Sequence, residues 1–170
     1  MFVGVFSDES KKVTFYTVYK EEDCISETED FFRRMYQSEY TEHTKRLARL
    51  ISESIGNKYG AHEKYFSRHE RLASALPPKP HDSFWTEEII SLKNSPLRLY
   101  ALRISYSVVV LFNGGLKMTN GSAQDDPNVS IYFLEAQRFA KKIIDAINEE
   151  MICVSHKSLV DFQGNKNFFI

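Results

Sequence analysis

The sequence predicts a single α+β domain in which a small antiparallel sheet is combined with two N-terminal helices and a long C-terminal helix. Three observations carry this prediction: a β-rich beginning, a capping signal followed by periodic apolar residues, and a long apolar stripe late in the chain. A chain of 170 residues has the usual size of one domain. We therefore expect one domain, 1–170, with a C-terminal extension over residues 151–170.

The first two elements are β-rich runs at residues 2–6 and 12–19. They are separated by the polar segment SDESK. In the second run Val13, Phe15, Thr17 and Tyr19 alternate with Thr14, Tyr16 and Val18. Two such runs on either side of a short polar segment predict a β-hairpin.

Two helices are expected next. Ser26 followed by Glu29 is a capping-box pattern, which predicts that a helix begins there. A second helix is predicted from about Thr41, with its end near Gly56 or Gly60. Its apolar stripe consists of Leu47, Leu50, Ile51 and Ile55.

For the middle of the chain, the sequence predicts a long connection followed by an antiparallel β-meander. Residues 61–96 contain the breaker LPPKP and a short segment around Phe84–Leu92, so we expect a long connection with some helix. Residues 97–105 and 107–112 are rich in β-branched and aromatic residues, and Asn113-Gly114-Gly115 is typical of a tight turn. With residues 116–119 as the next strand, a tight antiparallel meander results.

The last predicted helix covers residues 127–148. Asp126 is the expected N-cap and Pro127 the first helical residue. The pair Asp125-Asp126 could also bind a hard cation, but the capping role is favoured. The apolar stripe of this helix comprises Phe133, Ala136, Phe139, Ala140, Ile143, Ile144 and Ile147.

Several functional classes find no support in the sequence. No run approaches the roughly 18 apolar residues of a membrane span, and the N-terminus has no secretory signal pattern, so we expect a cytoplasmic protein without a membrane partner. Cys24 and Cys153 are far apart and outside any CxxC pattern. Neither HExxH nor the common nucleotide-binding and nucleophile motifs occur. No metal or cofactor is implied.

The charges are unevenly distributed, although the net charge is −1. Residues 33–117 contain 14 Lys and Arg against 8 Asp and Glu, which indicates a surface for a polyanion in the middle of the chain. Lys45, Arg46 and Arg49 lie on the polar side of the second helix. They are either a solvated face or a face that follows RNA phosphates.

One stretch resembles a known family. The sequence LYALRI of residues 99–104 is similar to the L-Y-E-L-R-I strand of RelE/HigB-like toxins, a family found in bacteria and phages. The sequence YSVVVLFNGG of residues 106–115 is similar to the Y-R-V-L-Y-F-F-D-G-G hairpin of the same family. The resemblance implies a RelE/HigB-like fold for the whole domain.

The resemblance also implies a function. It suggests the toxin of a type II toxin–antitoxin system, an endoribonuclease that cleaves mRNA, commonly at the ribosome, by attack of the ribose 2′-hydroxyl on the adjacent phosphate. The partners would be a cognate antitoxin protein and mRNA. Strand alternation directs Arg103 to the expected open sheet face, and Lys117 is the next cation that could reach it, so these two are the candidate catalytic residues.

Two departures from the family pattern keep other functions open. Ala101 replaces a glutamate of the family strand, and Ser107 replaces an arginine of its hairpin. The alternative function is a non-catalytic protein-binding module on the same fold, from a phage or a mobile element. A metal-dependent hydrolase that uses Asp125, Asp126 and a histidine is a third, more distant hypothesis.

Overall fold

The computed structural model describes residues 1–20, 24–79 and 87–170. The strands are β1 Phe2–Ser7, β2 Thr14–Tyr19, β3 His69–Glu70, β4 Ala73–Leu76, β5 Leu97–Arg103, β6 Val108–Leu116, β7 Ile152–Ser155, β8 Ser158–Asp161 and β9 Phe168–Phe169. The helices are α1 Glu27–Tyr36, α2 Thr41–Arg49, α3 Glu87–Ser91 and α4 Ser130–Asn148. A π-helix, Leu50–Tyr59, continues α2, and Glu63–Phe66 form a 3₁₀ turn.

Within the described residues, seven strands form one mixed sheet in the order β3-β4-β5-β6-β2-β1-β9. β2 and β6 lie side by side and parallel, whereas the other neighbours in this sheet are antiparallel. β7 and β8 form a separate hairpin. The short strand β9 pairs with β1 and brings the end of the chain beside its beginning, where the Ile170 N–H donates to the Met1 carbonyl.

The sheet separates two hydrophobic cores. Tyr16 and Val110 face one core, which also contains the apolar stripe of α4. Phe15 and Val109 face the other core, which contains apolar side chains of α1, α2 and the π-helix. Because successive side chains of a strand point to opposite faces, strands that lie between two cores are buried on both sides. This explains why every residue of β2 and β6 except the last is buried.

The predicted N-terminal elements are confirmed. β1 and β2 form the antiparallel hairpin, and α1 begins after Ser26 with a complete capping box. The Ser26 hydroxyl accepts from the Glu29 N–H at 3.1 Å, and Glu29 Oε2 accepts from the Ser26 N–H at 2.8 Å. The predicted start of the second helix at Thr41 is also confirmed.

The second helix changes its hydrogen-bonding pattern half-way. After Arg49 it continues as the π-helix, which the sequence analysis did not predict, and it ends at Gly60. Gly60 has a φ of 78°, and a Cβ there would lie 2.4 Å from the Tyr106 ring. Both the backbone conformation and the close approach of Tyr106 therefore require glycine at this position.

The predicted fold class is wrong in its architecture. Instead of a small antiparallel sheet there is a large mixed sheet with helices on both faces, and β7, β8 and β9 follow α4, so this helix is not the last element. Two features escape a sequence analysis based on local patterns. The parallel pairing of β2 with β6 joins segments about 90 residues apart, and β3, β4 and β9 are only two to four residues long.

The predicted turn at Asn113-Gly114-Gly115 is also wrong. These residues belong to β6, neither glycine has a positive φ, and the reversal between β5 and β6 lies at residues 104–107. Gly114 is needed for a different reason: a Cβ there would lie 1.8 Å from the Arg98 carbonyl oxygen. The third strand predicted at residues 116–119 does not form, and β4 pairs with β5 instead.

The start of α4 differs from the prediction as well. Its N-cap is Val129 rather than Asp126, although Ile143 of the predicted apolar stripe is fully buried. In the middle connection, residues 84–86 of the predicted segment Phe84–Leu92 lie outside the described residues. Among those that are described, no helix has the length and apolar character needed to cross a membrane.

Candidate nucleic-acid interface

Loops from distant parts of the chain meet at one end of the sheet. This is the end at which β1 leads into β2 and β5 leads into β6. The Lys11 N–H donates to the Asn57 side chain at the end of the π-helix. The Ser107 hydroxyl donates to the His156 carbonyl in the β7–β8 turn at 3.4 Å. We call this region the turn-end surface; it comprises Asp8, Lys11, Lys12, Thr14, Ser107, Ser155, His156, Lys157, Ser158 and Lys166.

A cavity of about 390 Å³ opens on the turn-end surface. Its lining combines one imidazole, two ammonium groups, three hydroxyl groups and one carboxylate, and these belong to His156, Lys157, Lys166, Thr14, Ser155, Ser158 and Asp8. Cations and hydroxyl donors around one concave site are the groups that hold phosphate oxygens. The cavity therefore has the chemistry of an anion site.

His156 occupies the turn of the β7–β8 hairpin. Ser155 and Ser158 pair on either side of it, so only two residues make the turn. His156 has a φ of 55°, in the left-handed region that a β-carbon disfavours. Residues that their surroundings hold in this region cluster at functional sites. His156 is exposed.

The ammonium group of Lys157 connects two loops of the surface. Its Nζ donates to the Ser10 carbonyl at 2.6 Å and to the Lys11 carbonyl at 3.4 Å. An ammonium group carries three N–H donors, so one remains for a ligand. Lys11, Lys12 and Lys166 are exposed at the same end of the molecule. The turn-end surface is thus a local concentration of positive charge on a chain whose net charge is −1.

An exposed aromatic side chain flanks this cationic region. Tyr106 precedes Ser107 in the β5–β6 turn and is 47% exposed. Its hydroxyl donates to the Tyr59 carbonyl, and its own carbonyl accepts from the Ala61 N–H. These bonds fix the ring position at the end of the sheet. Such a ring can stack on a nucleobase.

Arg103, a predicted catalytic residue, lies at this end of β5 but is engaged with protein groups. Its Nε donates to the Ala61 carbonyl, and its Nη1 lies 3.8 Å from a carboxylate oxygen of Glu63. The face of β5 on which it was expected is covered, because Leu99 and Ala101 are fully buried in the core formed with α1, α2 and the π-helix. Arg103 instead borders a separate cavity of about 230 Å³ together with Glu63 and Leu102.

Lys117, the second predicted catalytic residue, lies at the other end of the same strand pair. Its N–H donates to the Pro96 carbonyl, and its Nζ donates to the Thr119 carbonyl at 2.6 Å. Arg103 pairs with Val109, so the length of β6 separates the two cations by on the order of 20 Å. The structure does not bring them together into one site.

The predicted RNA-contacting residues lie on α2 and are exposed. Lys45 forms an ion pair with Glu42 at 2.7 Å, and Arg46 donates to the Ser91 carbonyl at 3.1 Å. The Lys45 ammonium lowers the pKa of Glu42, and Glu42 in turn raises the pKa of Lys45. The role of Lys45, Arg46 and Arg49 in RNA binding stays a prediction.

A second group of charges stabilises the packing of α1 against the sheet. The Asp30 carboxylate accepts from Arg34 at 2.8 Å and from Asn113 at 3.1 Å. Burial raises the pKa of Asp30, but the hydrogen bonds from Arg34 and Asn113 outweigh this effect and lower it. Lys20 bridges Glu27 and Glu135 at 3.1 and 3.0 Å. Because these charges already have partners, the group is better suited to holding elements together than to binding a ligand.

The two carboxylates that the metal-site hypothesis requires already accept hydrogen bonds from protein groups. Asp125 accepts from the Ser122 hydroxyl at 2.6 Å, and Asp126 accepts backbone N–H groups. In the part of the chain that the structure describes, no group of three or more His, Cys, Asp or Glu side chains could hold a metal ion.

Comparisons with protein-family models, curated proteins and solved structures found no match to this chain.

Sequence reasoning did not identify the turn-end surface. His156 and Lys166 lie in a C-terminal segment without a clear hydrophobic period, and Lys11 is about 145 residues away. A signal was nevertheless present: Ser155-His156-Lys157-Ser158 is a polar tetrapeptide between the apolar runs MICV and LV, which is compatible with a hairpin turn. Its proximity to Lys11 depends on tertiary structure and could not be inferred from it.

Proposed function

We propose that this chain binds RNA through the turn-end surface and acts as an RNA-cleaving toxin held inactive by an antitoxin. One observation carries the proposal: an imidazole, two ammonium groups and three hydroxyl groups surround one cavity of about 390 Å³. The strand resemblance supports the toxin role, and the Ser107 hydroxyl within the resembling segment contacts the turn that carries His156.

Binding would begin with the phosphate backbone. Lys11, Lys12, Lys157 and Lys166 offer cations from three separate loops, and each cation that neutralises a phosphate releases a counterion. Tyr106 adds a stacking surface next to them. Because aromatic rings stack on any base, this combination favours single-stranded RNA without a strong sequence requirement.

Cleavage in this proposal needs two proton transfers and stabilisation of the phosphate. The ribose 2′-oxygen attacks the adjacent phosphorus and the P–O5′ bond breaks, which leaves a 2′,3′-cyclic phosphate and a 5′-hydroxyl. The neutral His156 imidazole accepts the proton of the 2′-hydroxyl, and the Lys166 ammonium donates a proton to the departing O5′. The remaining N–H of Lys157 and the cavity hydroxyls offset negative charge on the phosphate oxygens.

The test combines growth after induced expression with cleavage of end-labelled RNA by the purified chain. His156→Asn is the informative variant, because asparagine tolerates a left-handed backbone while the imidazole is removed. We expect the cleavage rate to fall by roughly 10²-fold or more, the usual scale for loss of a general base. The melting temperature should stay close to that of the parent.

His62→Asn is the matched control. His62 is exposed and caps the 3₁₀ turn through its side chain, and asparagine can keep this cap. This variant should cleave as fast as the parent. If the parent chain binds no RNA at low salt, the whole proposal is wrong. If it binds RNA but releases no cyclic-phosphate product, only the enzymatic part is wrong.

The alternative of a non-catalytic protein-binding module gives the opposite pattern. Expression would not arrest growth, and RNA would not compete with a protein partner. Arg103 is held by the Ala61 carbonyl and lies near the Glu63 carboxylate, which agrees with a module that has no catalytic arginine. The growth and RNA-cleavage assays described above distinguish the two functions.

A further inference from the structure

An apolar groove lies on the helical side of the loop that contributes to the turn-end surface. It has a volume of about 400 Å³ and is open to solvent between the end of β1, α1 and the helix formed by α2 and the π-helix. Its apolar lining consists of Phe6, Phe15, Phe32, Tyr36, Ala48 and Ile51. The volume is within the range of roughly 300–1,000 Å³ that is typical of small-ligand sites.

Three aromatic rings of this groove are nearly parallel. Phe6 and Phe32 have centroids 6.4 Å apart with an angle of 11° between the rings. Phe32 and Tyr36 have centroids 6.0 Å apart with an angle of 29°. Tyr36 is 43% exposed at the end of this series. An added planar ring could continue the stack there, since flat aromatic groups prefer offset stacking.

One carboxylate borders the aromatic rings. Glu29 lines the groove and is exposed, and its Oε2 accepts from the Ser26 N–H at 2.8 Å as part of the capping box. A carboxylate has about four acceptor positions, so it can accept further hydrogen bonds from a ligand. Guanine carries two neighbouring N–H donors on its Watson–Crick edge, which a carboxylate can accept together.

The groove and the turn-end surface share the β1–β2 loop. Ser10 lines the groove, and its carbonyl accepts from Lys157 of the turn-end surface at 2.6 Å. Lys11 and Lys12, which follow directly, are exposed. A nucleotide with its base in the groove would therefore have cations nearby for its phosphates.

We infer that the groove binds an unstacked guanine base of the RNA that lies on the turn-end surface. This inference rests on the proposed function. The near-parallel rings match a planar base, the Glu29 carboxylate matches paired N–H donors, and the adjoining lysines match phosphates. An apolar protein segment would use the rings but neither of the other two features. The groove thus adds base selection to a surface that otherwise recognises only the backbone.

Fluorescence anisotropy with labelled single-stranded RNA tests this assignment. The probes are an all-uridine oligonucleotide and the same oligonucleotide with one central guanosine. The parent chain should bind the guanosine probe more tightly. Tyr36→Leu and Phe32→Leu keep an apolar side chain but remove a stacking ring, and each should weaken binding of this probe about tenfold, the scale of one lost base stack.

Glu29→Gln separates base recognition from folding. Glutamine can preserve the capping box, so the helix should remain intact. It offers one acceptor oxygen where the carboxylate offers two, and we expect it to abolish the preference for guanosine over uridine. Phe162→Leu is the control, because Phe162 is 84% exposed and does not line the groove. This variant should bind both probes like the parent.

The possible outcomes distinguish the inference from the proposed function. If the parent binds neither probe, the proposed function itself fails. If the parent binds RNA but folded Tyr36→Leu, Phe32→Leu and Glu29→Gln variants retain its affinity and preference, the groove holds no base and the inference alone is wrong. That result would leave a protein segment as the occupant to be considered.

Discussion

At the scale of a single residue, Asp126 was correctly predicted to be structurally important, but its predicted role as the N-cap of α4 is wrong. Its side chain is fully buried, and its carboxylate accepts from the backbone N–H groups of Met118, Thr119 and Asn128 at 2.8 to 2.9 Å. Burial raises the pKa of Asp126, but these N–H donors outweigh it and bring the pKa to about 2. Asp126 therefore fixes the loop before α4 instead of capping the helix.

This depressed pKa predicts a pH dependence of stability. The contribution of Asp126 to stability is fully present above its unfolded pKa of about 4. It is lost as the pH falls toward 2, because in this range the folded state keeps Asp126 ionised only at an increasing cost relative to the protonated unfolded chain. Asp126→Ala should lower the free energy of unfolding at pH 7 by about 3 kcal/mol, since it removes three hydrogen bonds from backbone N–H groups to a charged carboxylate. The difference between parent and variant in urea unfolding should shrink near pH 2.

Asp125→Ala is the neighbouring control for this measurement. Asp125 is exposed and accepts only from the Ser122 hydroxyl among the hydrogen bonds that the structure describes. Its replacement should change stability by roughly 0.5 kcal/mol or less. Equal effects of both substitutions would contradict the role given to Asp126.

At the scale of an element, α4 illustrates what hydrophobic periodicity predicts well. Its stripe faces the sheet, with Ile143 fully buried, whereas Ile131, outside the stripe, is 59% exposed. Ile143→Asp should therefore cost about 4 kcal/mol or more, because an unpaired charge enters a packed core. Ile131→Asp introduces the same side chain into the same helix and should change stability by roughly 0.5 kcal/mol. Thermal melting of the two variants measures the difference, and similar melting temperatures would show that α4 packs otherwise.

Strand β6 illustrates where local sequence chemistry fails. Asn113-Gly114-Gly115 has the composition of a tight turn, yet strand β6 continues through it, with a shift of its register against β5 between Leu99 and Ala101. The reason is a tertiary contact, because the backbone of β5 approaches so closely that Gly114 has no room for a side chain. A glycine selected for close approach and a glycine selected for a turn look identical in a sequence.

At the scale of the whole molecule, the sequence predicted elements more successfully than their arrangement. The β1–β2 hairpin, the start of α1 and the antiparallel pairing of β5 with β6 follow from local patterns, and the structure confirms them. The parallel pairing of β2 with β6 and the addition of β9 to β1 depend on contacts between distant segments. Distances in space likewise differ from distances in sequence. Arg103 and Lys117 are 14 residues apart but lie at opposite ends of the β5–β6 pair. Lys11 and His156 are 145 residues apart but lie at the same end of the sheet.

The charge distribution of the folded molecule leads to a prediction about salt. If the turn-end surface contacts the RNA backbone, the logarithm of the binding constant should fall linearly with the logarithm of salt concentration, with a slope of about −0.7 for each phosphate contact on a single strand. Lys166→Ala should reduce the magnitude of this slope by about 0.7, because one exposed cation of the cavity is removed. Lys45→Ala tests the face of α2 in the same way, and we expect no change because Lys45 already has Glu42 as its partner. Anisotropy titrations of both variants at salt concentrations from about 50 to about 200 mM measure these slopes. A reduced slope for Lys45→Ala together with a parental slope for Lys166→Ala would move the RNA-binding surface from the end of the sheet to α2, since only residues that release counterions alter the salt dependence.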